Sequence, residues 1–298
     1  MSYVSLTYPF GRPVITSVAV RRERPLPAGA TPLVSVGDRV KPDTVLAEQR
    51  RDQGVTSVLS GITGQVSATS LGRSVTLDGV ATLLHGAVGV GGPSAGPLFT
   101  IPRGESLAVA HIPHGCVLVH PTRAPLMLLQ RALAAGAAGV IAASVTALEL
   151  EAFARADLMA LLEGLAPPTA PQPLTVVLTE GVGEAVMDSA FWNVLTRRLG
   201  DIALLNGLTL PQRANRPEIL LSLPEGSAPQ QLPMPSTIVN GALVRVWSGP
   251  SRGARGQVVH LFAHERVIGS GQWEPCAQLR LSDGSTLTAP LQLLDVIG

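Results

Sequence analysis

Between residues 107 and 206, short apolar runs alternate with runs whose apolar residues recur every three or four positions. Val117-Leu118-Val119, Gly139-Val140-Ile141-Ala142-Ala143 and Leu174-Thr175-Val176-Val177-Leu178 are β-branched and apolar almost throughout. Strands covered on both faces read this way, whereas strands with one wet face alternate. Each run is followed by a turn and an amphipathic segment, which predicts three β-α units with buried parallel strands. In the first unit, Thr122 is placed to cap a helix with Pro125 in its first turn. Leu126, Leu129 and Leu133 form its stripe, and Gly136 and Gly139 lead into the next strand. In the second, Thr146-Ala147-Leu148-Glu149 has the spacing of a capping box. Leu150, Phe153, Leu158, Leu161 and Leu162 follow at helical spacing. In the third, Met187, Ala190, Phe191, Val194 and Leu195 share one helical face.

The flanks carry a different pattern. Residues 29–78 are dense in short β runs with Gly or Asp turns, which predicts a small antiparallel β domain. The stretch from Gly86 to Pro97 is rich in Gly and Pro and reads as a loop or linker. Ile219-Leu220-Leu221-Ser222-Leu223 is short enough to add an edge strand to the central sheet. The polar, Pro-rich residues after it read as a linker. Beyond residue 240, alternation returns in Val244, Val246, Val258 and His260. The runs at 277–281, 285–289 and 293–297 are further strand signals, and Asp283-Gly284 marks a tight hairpin. The expected architecture is multidomain, α/β plus all-β. It divides into a β domain over 1–105, a three-layer α/β domain with parallel strands over 106–223, a linker over 224–239 and a β-barrel over 240–298.

Composition narrows the setting. The 298 residues are 46% hydrophobic, with a formal charge of +1. Mean hydropathy is +0.32, yet no run approaches the roughly 20 apolar residues of a membrane span. The first residues lack a basic segment followed by an apolar one, so no secretory signal is visible and the expected compartment is the cytoplasm. Cys116 and Cys276 are too few for a disulfide framework. A charge near zero supplies no global field to gather nucleic acid.

Two segments resemble known families. Val36-Gly37-Asp38-Arg39-Val40-Lys41-Pro42-Asp43-Thr44-Val45-Leu46-Ala47, followed by Ser60-Gly61-Ile62-Thr63-Gly64-Gln65-Val66, resembles the two halves of a biotinyl/lipoyl-type barrel-sandwich hybrid. True carriers place an acylatable lysine on the hairpin between the halves. Here that hairpin is Arg50-Arg51-Asp52-Gln53-Gly54, and a guanidinium that stays protonated forms no such amide. Lys41, the sole lysine, lies in another turn. The resemblance is therefore to non-carrier versions that act as docking pieces, and no cofactor is implied. The second segment runs from Gly241-Ala242-Leu243-Val244-Arg245-Val246-Trp247 through Arg252-Gly253-Ala254-Arg255-Gly256-Gln257-Val258. It resembles a KOW motif in an SH3-like barrel, as in NusG-type elongation factors and some ribosomal proteins. That resemblance implies a turn at Gly256 with a backbone angle closed to other residues. It implies a contact surface for RNA or protein at Arg245, Trp247, Arg252 and Arg255. Trp247 and Trp273 suit either an interface anchor or the barrel core.

Candidate chemistry is sparse. Ligands of parallel sheets bind at the carboxyl edge of the strands, here Pro121, Thr122, Ser144, Thr179, Glu180, Gly181 and Gly183. The glycines could expose amides to an anion, but Glu180 and Glu184 repel one. His111, His114, Cys116 and His120 are metal-capable types, yet a straight strand spreads residues 114–120 over roughly 20 Å. No catalytic residue and no metal site is assigned. The first expectation is a non-catalytic scaffold or assembly subunit that docks other proteins through its β modules, as a homo-oligomer or in a larger complex. One alternative is an RNA- or DNA-associated accessory factor acting through the C-terminal barrel. The other is an enzyme with a small-molecule site at the sheet edge.

Overall fold

The computed structural model describes residues 14–51, 54–70, 72–102, 104–157, 174–209, 216–230, 238–246, 251, 254–268 and 273–296. Its strands open with β1 (Val14–Pro25), β2 (Arg39–Val40), β3 (Val45–Arg51), β4 (Gly54–Leu59), β5 (Gly64–Ser70) and β6 (Ser74–His85). They continue with β7 (Val88–Val90), β8 (Pro93–Phe99), β9 (Val117–Arg123), β10 (Gly139–Val145) and β11 (Thr175–Val182). β12 (Ile202–Asn206) and β13 (Glu218–Ser222) follow. The helices are α1 (Leu126–Ala134), α2 (Ala147–Ala154) and α3 (Ser189–Thr196).

The long strand β6 joins what the sequence divides. One of its edges pairs with β1 along nearly its whole length, from Val14↔Leu84 to Pro25↔Ser74. Its other edge is shared: β5 takes the first half, and β13 takes Ala81 to His85. From β13 the sheet runs on through β12, β8, β9, β10, β11 and β7, with β2 at the far end beside β5. The ladders β8–β9, β9–β10 and β10–β11 are parallel and the others antiparallel. The sheet is thus large and mixed, and the three apolar runs form its parallel strands. β3 and β4 form a separate hairpin that closes at Arg51↔Gly54.

This continuity corrects the expected boundary at residues 105/106. Val14–Gln230 is one unit; Met1–Pro13 and Gln231–Gly298 form the other. The cause is visible in the packing. Leu84 of β6, Leu98 of β8, Val117 and Val119 of β9, and Ile219 and Leu221 of β13 belong to one buried cluster, which α3 joins through Phe191 and Leu195. Leu204 and Leu220 turn the other way, into the cluster of Leu46, Ile62, Val66 and Leu77. β13 is therefore interior rather than an edge strand. Leu118, Val140 and Leu178 face a third cluster with Leu128, Leu129 and Leu150 of α1 and α2.

The supposed linker from Gly86 to Pro97 is also corrected, since it holds β7 and most of β8. Its glycines reflect close backbone approach rather than looseness. A Cβ on Gly96 would lie 2.0 Å from the Gly115 carbonyl oxygen, and one on Gly89 would lie 2.6 Å from that of Val176. α1 starts later than expected. Thr122 lies in β9, and Pro125 takes the N-cap position without a side-chain cap. Its buried residues are Leu128, Leu129 and Ala132, while Leu133 is exposed. The capping box at Thr146 and Glu149 is formed, and α2 ends at Arg155 in the left-handed region. Leu158, Leu161 and Leu162 lie outside the described residues.

In the smaller unit, β14 (Leu243–Val246), β15 (Arg255–Leu261), β18 (Cys276–Leu281), β19 (Thr286–Pro290) and β20 (Leu294–Val296) form an antiparallel sheet in the order β19-β18-β15-β14-β20. β16 (Arg266–Val267) and β17 (Trp273–Glu274) pair with each other. Val244, Val246, Val258, Leu279, Leu294 and Val296 fill the core. The Asp283-Gly284 turn has Gly284 at φ 83°, with the Asp283 carboxylate accepting from the Ser285 N–H at 2.9 Å. Gly256 is no turn residue. It sits in β15 opposite Leu281, where a Cβ would come 2.7 Å from the Arg280 carbonyl oxygen. Among the described residues no helix is long and apolar enough to cross a membrane.

Candidate functional site

The carboxyl ends of β9, β10 and β11 bring Thr122, Ser144, Glu180, Gly181 and Gly183 to one edge, as parallel register requires. The chain after β11 then folds back over that edge. The Gly183 N–H donates to the Val145 carbonyl at 2.8 Å, and the Met187 N–H donates to that of Pro121 at 2.8 Å. The Ala185 N–H donates to Ser144 Oγ at 3.0 Å, so this fully buried hydroxyl braces a loop. Glu180 Oε1 accepts from the Asp188 N–H at 3.2 Å, just before α3. Thr122 Oγ1 lies 3.0 Å from His120 Nε2. Arg123 Nη1 donates to both oxygens of Glu149 at 3.0 and 2.8 Å, and its Nε lies 2.8 Å from Glu184 Oε1. Burial pushes the Glu149 carboxyl up, but bonds from Thr146, the Leu126 N–H and Arg123 outweigh it and hold the group low. Ser144, Glu180 and Gly183 thus brace the loop after β11 and Arg123 ties the strand ends to α2, whereas the buried Thr179 hydroxyl at the same edge has no hydrogen-bond partner.

The histidine-rich run does not converge. The His114 ring lies where a Cβ on Gly136 would come 2.5 Å from it, so it packs on the end of α1. Burial pulls His120 down, and burial pushes the Cys116 thiol up. Among the described residues no group of three or more His, Cys, Asp or Glu is placed to hold a metal ion.

Buried charge elsewhere serves the fold. Arg24 of β1 is nearly sealed from solvent and donates to the Leu59 carbonyl through Nε at 3.2 Å and Nη2 at 3.0 Å. Burial lowers its pKa to about 10. An open groove of about 410 Å³ runs between Arg39, Lys41, Gln65, Asp78 and Glu225. Its acids are already matched, Asp78 by Arg21 and Glu225 by Arg39.

The C-terminal unit separates the expected contact residues. Arg245 is only 4% exposed and pairs with the equally buried Asp295 at 3.8 Å, so it does not reach the surface. That corrects its assignment as a partner-binding residue. Trp247 and Arg252 lie outside the described residues. Arg255 begins β15 on the exposed side.

A different surface of this unit is open. His260, Phe262, His264, Arg266, Val267 and Trp273 line a shallow basin of about 610 Å³. Trp273 is 66% exposed and Val267 56%. They stand directly opposite each other across β16 and β17, so their side chains share one face. The Arg266 guanidinium lies 4.3 Å from the Phe262 ring centre, and His260 meets that ring edge-on at 5.0 Å. Exposed Trp beside a stacked Arg is the composition of binding hot spots rather than of a core. Of these residues, sequence reasoning weighed Trp273 as an anchor and read His260 as continuing the inward alternation of Val258, but β15 shifts register between Val258 and His260, and His260 is exposed. The readable signal was Val267 and Trp273 flanking Gly269-Ser270-Gly271, a hairpin pattern with large apolar residues on a short strand pair.

Compared with protein-family models, with curated proteins and with solved structures, the chain has no match in any of the three.

Proposed function

We propose that the chain is a non-catalytic assembly subunit that docks a partner protein through its C-terminal unit. The observation that carries this reading is the exposed Val267–Trp273 pair beside the Arg266–Phe262 stack. Leaving a tryptophan two-thirds exposed forgoes burial worth about 1.5–3 kcal/mol for a large apolar side chain, and a partner would recover it. The use of Ser144, Glu180 and Arg123 in bracing loops favours docking over catalysis at the sheet edge. In this reading the C-terminal unit is a KOW-like SH3 barrel. The strands around the β3–β4 hairpin are a barrel-sandwich-like piece without a carrier lysine, built into the larger sheet.

The test is copurification of the tagged full chain from its native cells, beside a Val267→Ser/Trp273→Ala double variant. The expected result is a stoichiometric protein partner that the variant loses while its own melting temperature is unchanged. A partner retained in full by the variant, or a lone monomer in both, contradicts the reading. A nucleic-acid reading has one observation in its favour, the exposed Trp273 beside Arg266, since unpaired bases stack on such rings. Nuclease treatment of the same sample separates the two.

A further inference from the structure

We infer that Pro224–Gln230 is a releasable strap, latched by Ser17, whose release lengthens the connection between the larger unit and the C-terminal one. The latch stands on its own residues, and only its consequence for docking rests on the reading above.

The latch begins with a fault in β1. Its register with β6 passes from Ile15↔Leu83 to Val18↔Ala81, so Thr16 and Ser17 together face one residue, Thr82. Ser17 takes φ 57°, in the left-handed region that serine rarely occupies. Such a conformation persists only where the surroundings hold it, and here the holding bonds run to the strap. Ser17 Oγ donates to the Ala228 carbonyl at 2.6 Å, and the Gln230 N–H donates to the Ser17 carbonyl at 2.7 Å. Thr16 Oγ1 lies 3.5 Å from Gln230 Oε1.

The remaining ties on the strap are slight. At its root the Leu223 N–H donates to the Val80 carbonyl at 3.1 Å. Glu225 pairs with Arg39 across the groove, with side chains 61% and 78% exposed, and so wet an ion pair contributes little. The Ser227 N–H and hydroxyl both donate to the Pro224 carbonyl, which shapes the strap without fastening it. No residue from Pro224 to Gln230 is buried, so the strap lifts without exposing an apolar side chain of its own. Segments held by a few solvent-exposed bonds open readily. Strain at Ser17 works in the same direction, since release lets the residue return to an ordinary strand conformation.

The position of the strap gives release a consequence. Gln230 is the last residue of the larger unit, and Ile238 is the first described residue beyond it. Latched, the connection is residues 231–237; unlatched, it is residues 224–237. Fully extended, the two span at most about 25 Å and about 50 Å. The strap thus sets how far the surface at Val267 and Trp273 can reach from the larger unit.

The test is hydrogen exchange read by mass spectrometry on the full chain, comparing residues 223–230 with β13 in the unaltered chain, Ser17→Ala and Ser17→Gly. In the unaltered chain the strap is expected to be protected yet to exchange faster than β13. Ser17→Ala loses the Oγ bond and keeps the strain, so its strap is expected to exchange about fivefold faster, with β13 unchanged. Ser17→Gly loses the same bond but sheds the strain, and is expected to fall between the two. Ser17→Ala/Glu225→Ala, which also removes the ion pair, is expected to show a larger radius of gyration by small-angle scattering. A strap as slow as β13, a strap unprotected from the start, or no response to Ser17→Ala overturns the latch. Faster exchange with an unchanged radius in the double variant overturns the lengthening. None of these readouts needs a partner, so the copurification experiment decides separately whether docking stands.

Discussion

His85 closes β6 opposite Glu218 of β13, with Arg22 bridging to Glu218 at 2.6 Å and Arg216 close by. Burial, then Arg216 and Arg22, pushes its pKa down from 6.5 to about 3. The folded chain therefore keeps this ring neutral where the unfolded chain protonates it. Its contribution to stability is complete above pH 6.5 and declines as the pH falls toward 3, because there the unfolded state binds the extra proton. A shift of that size corresponds to several kcal/mol, on the order of 5. His85→Leu is expected to flatten the fall in melting temperature between about pH 6.5 and 4, read by circular dichroism. An identical acid limb in the variant would show that other groups set it. A second residue-scale expectation concerns Gly96. An alanine there would drive its Cβ into the Gly115 carbonyl, 2.0 Å away. Gly96→Ala is expected to cost about 3 kcal/mol or more by denaturant melt, whereas Gly92, with open space around its missing Cβ, is expected to tolerate alanine.

At the scale of elements, Glu149 links two helices. Its carboxylate completes the α2 capping box, accepts from the Leu126 N–H at 3.2 Å and holds Arg123. Glu149→Ala removes all three and is expected to destabilise the chain by about 1–2 kcal/mol. Leu148→Ala, at an exposed position of the same helix, is the control. A loss no larger than the control's would mean that the network is ornamental. The parallel strands were legible in sequence because apolar runs covered on both faces have a pattern of their own, and the capping box because its residues are local. β7 and β8 were not legible. Glycine signals both a loose linker and a strand crowded by neighbouring backbone, and only the neighbours tell them apart. The same ambiguity hid Gly256, whose requirement comes from β18 across the sheet. Thr122 was misplaced because Ala124-Pro125 lets the strand run on and leaves Pro125 to start the helix. At the candidate site, Arg245 sits where strand alternation allows either face, and its partner Asp295 lies fifty residues away in sequence. Trp273 was ambiguous for a related reason, since nothing near it in sequence says whether a core exists for it to fill.

At the scale of the whole molecule, the chain behaves as two units, Val14–Gln230 and the C-terminal one. A fragment ending at residue 105 strips β6 and β8 of their β13 and β12 ladders and opens the cluster around Leu84, Leu98 and Ile219. It is expected to be unfolded or aggregated, while 14–230 gives one cooperative transition. A soluble, cooperatively melting 14–105 fragment would contradict the continuous sheet. Function, in the proposed reading, lies with the other unit. The most direct measurement is photo-crosslinking in living cells with a reactive residue at position 267, compared with one at position 148. Val267 is 56% exposed and Leu148 76%, so exposure alone favours the second site. An adduct with one partner protein from position 267 and none from 148 is the expected result. An adduct from position 148 alone, or to nucleic acid from 267, would contradict the claim that this unit docks a protein.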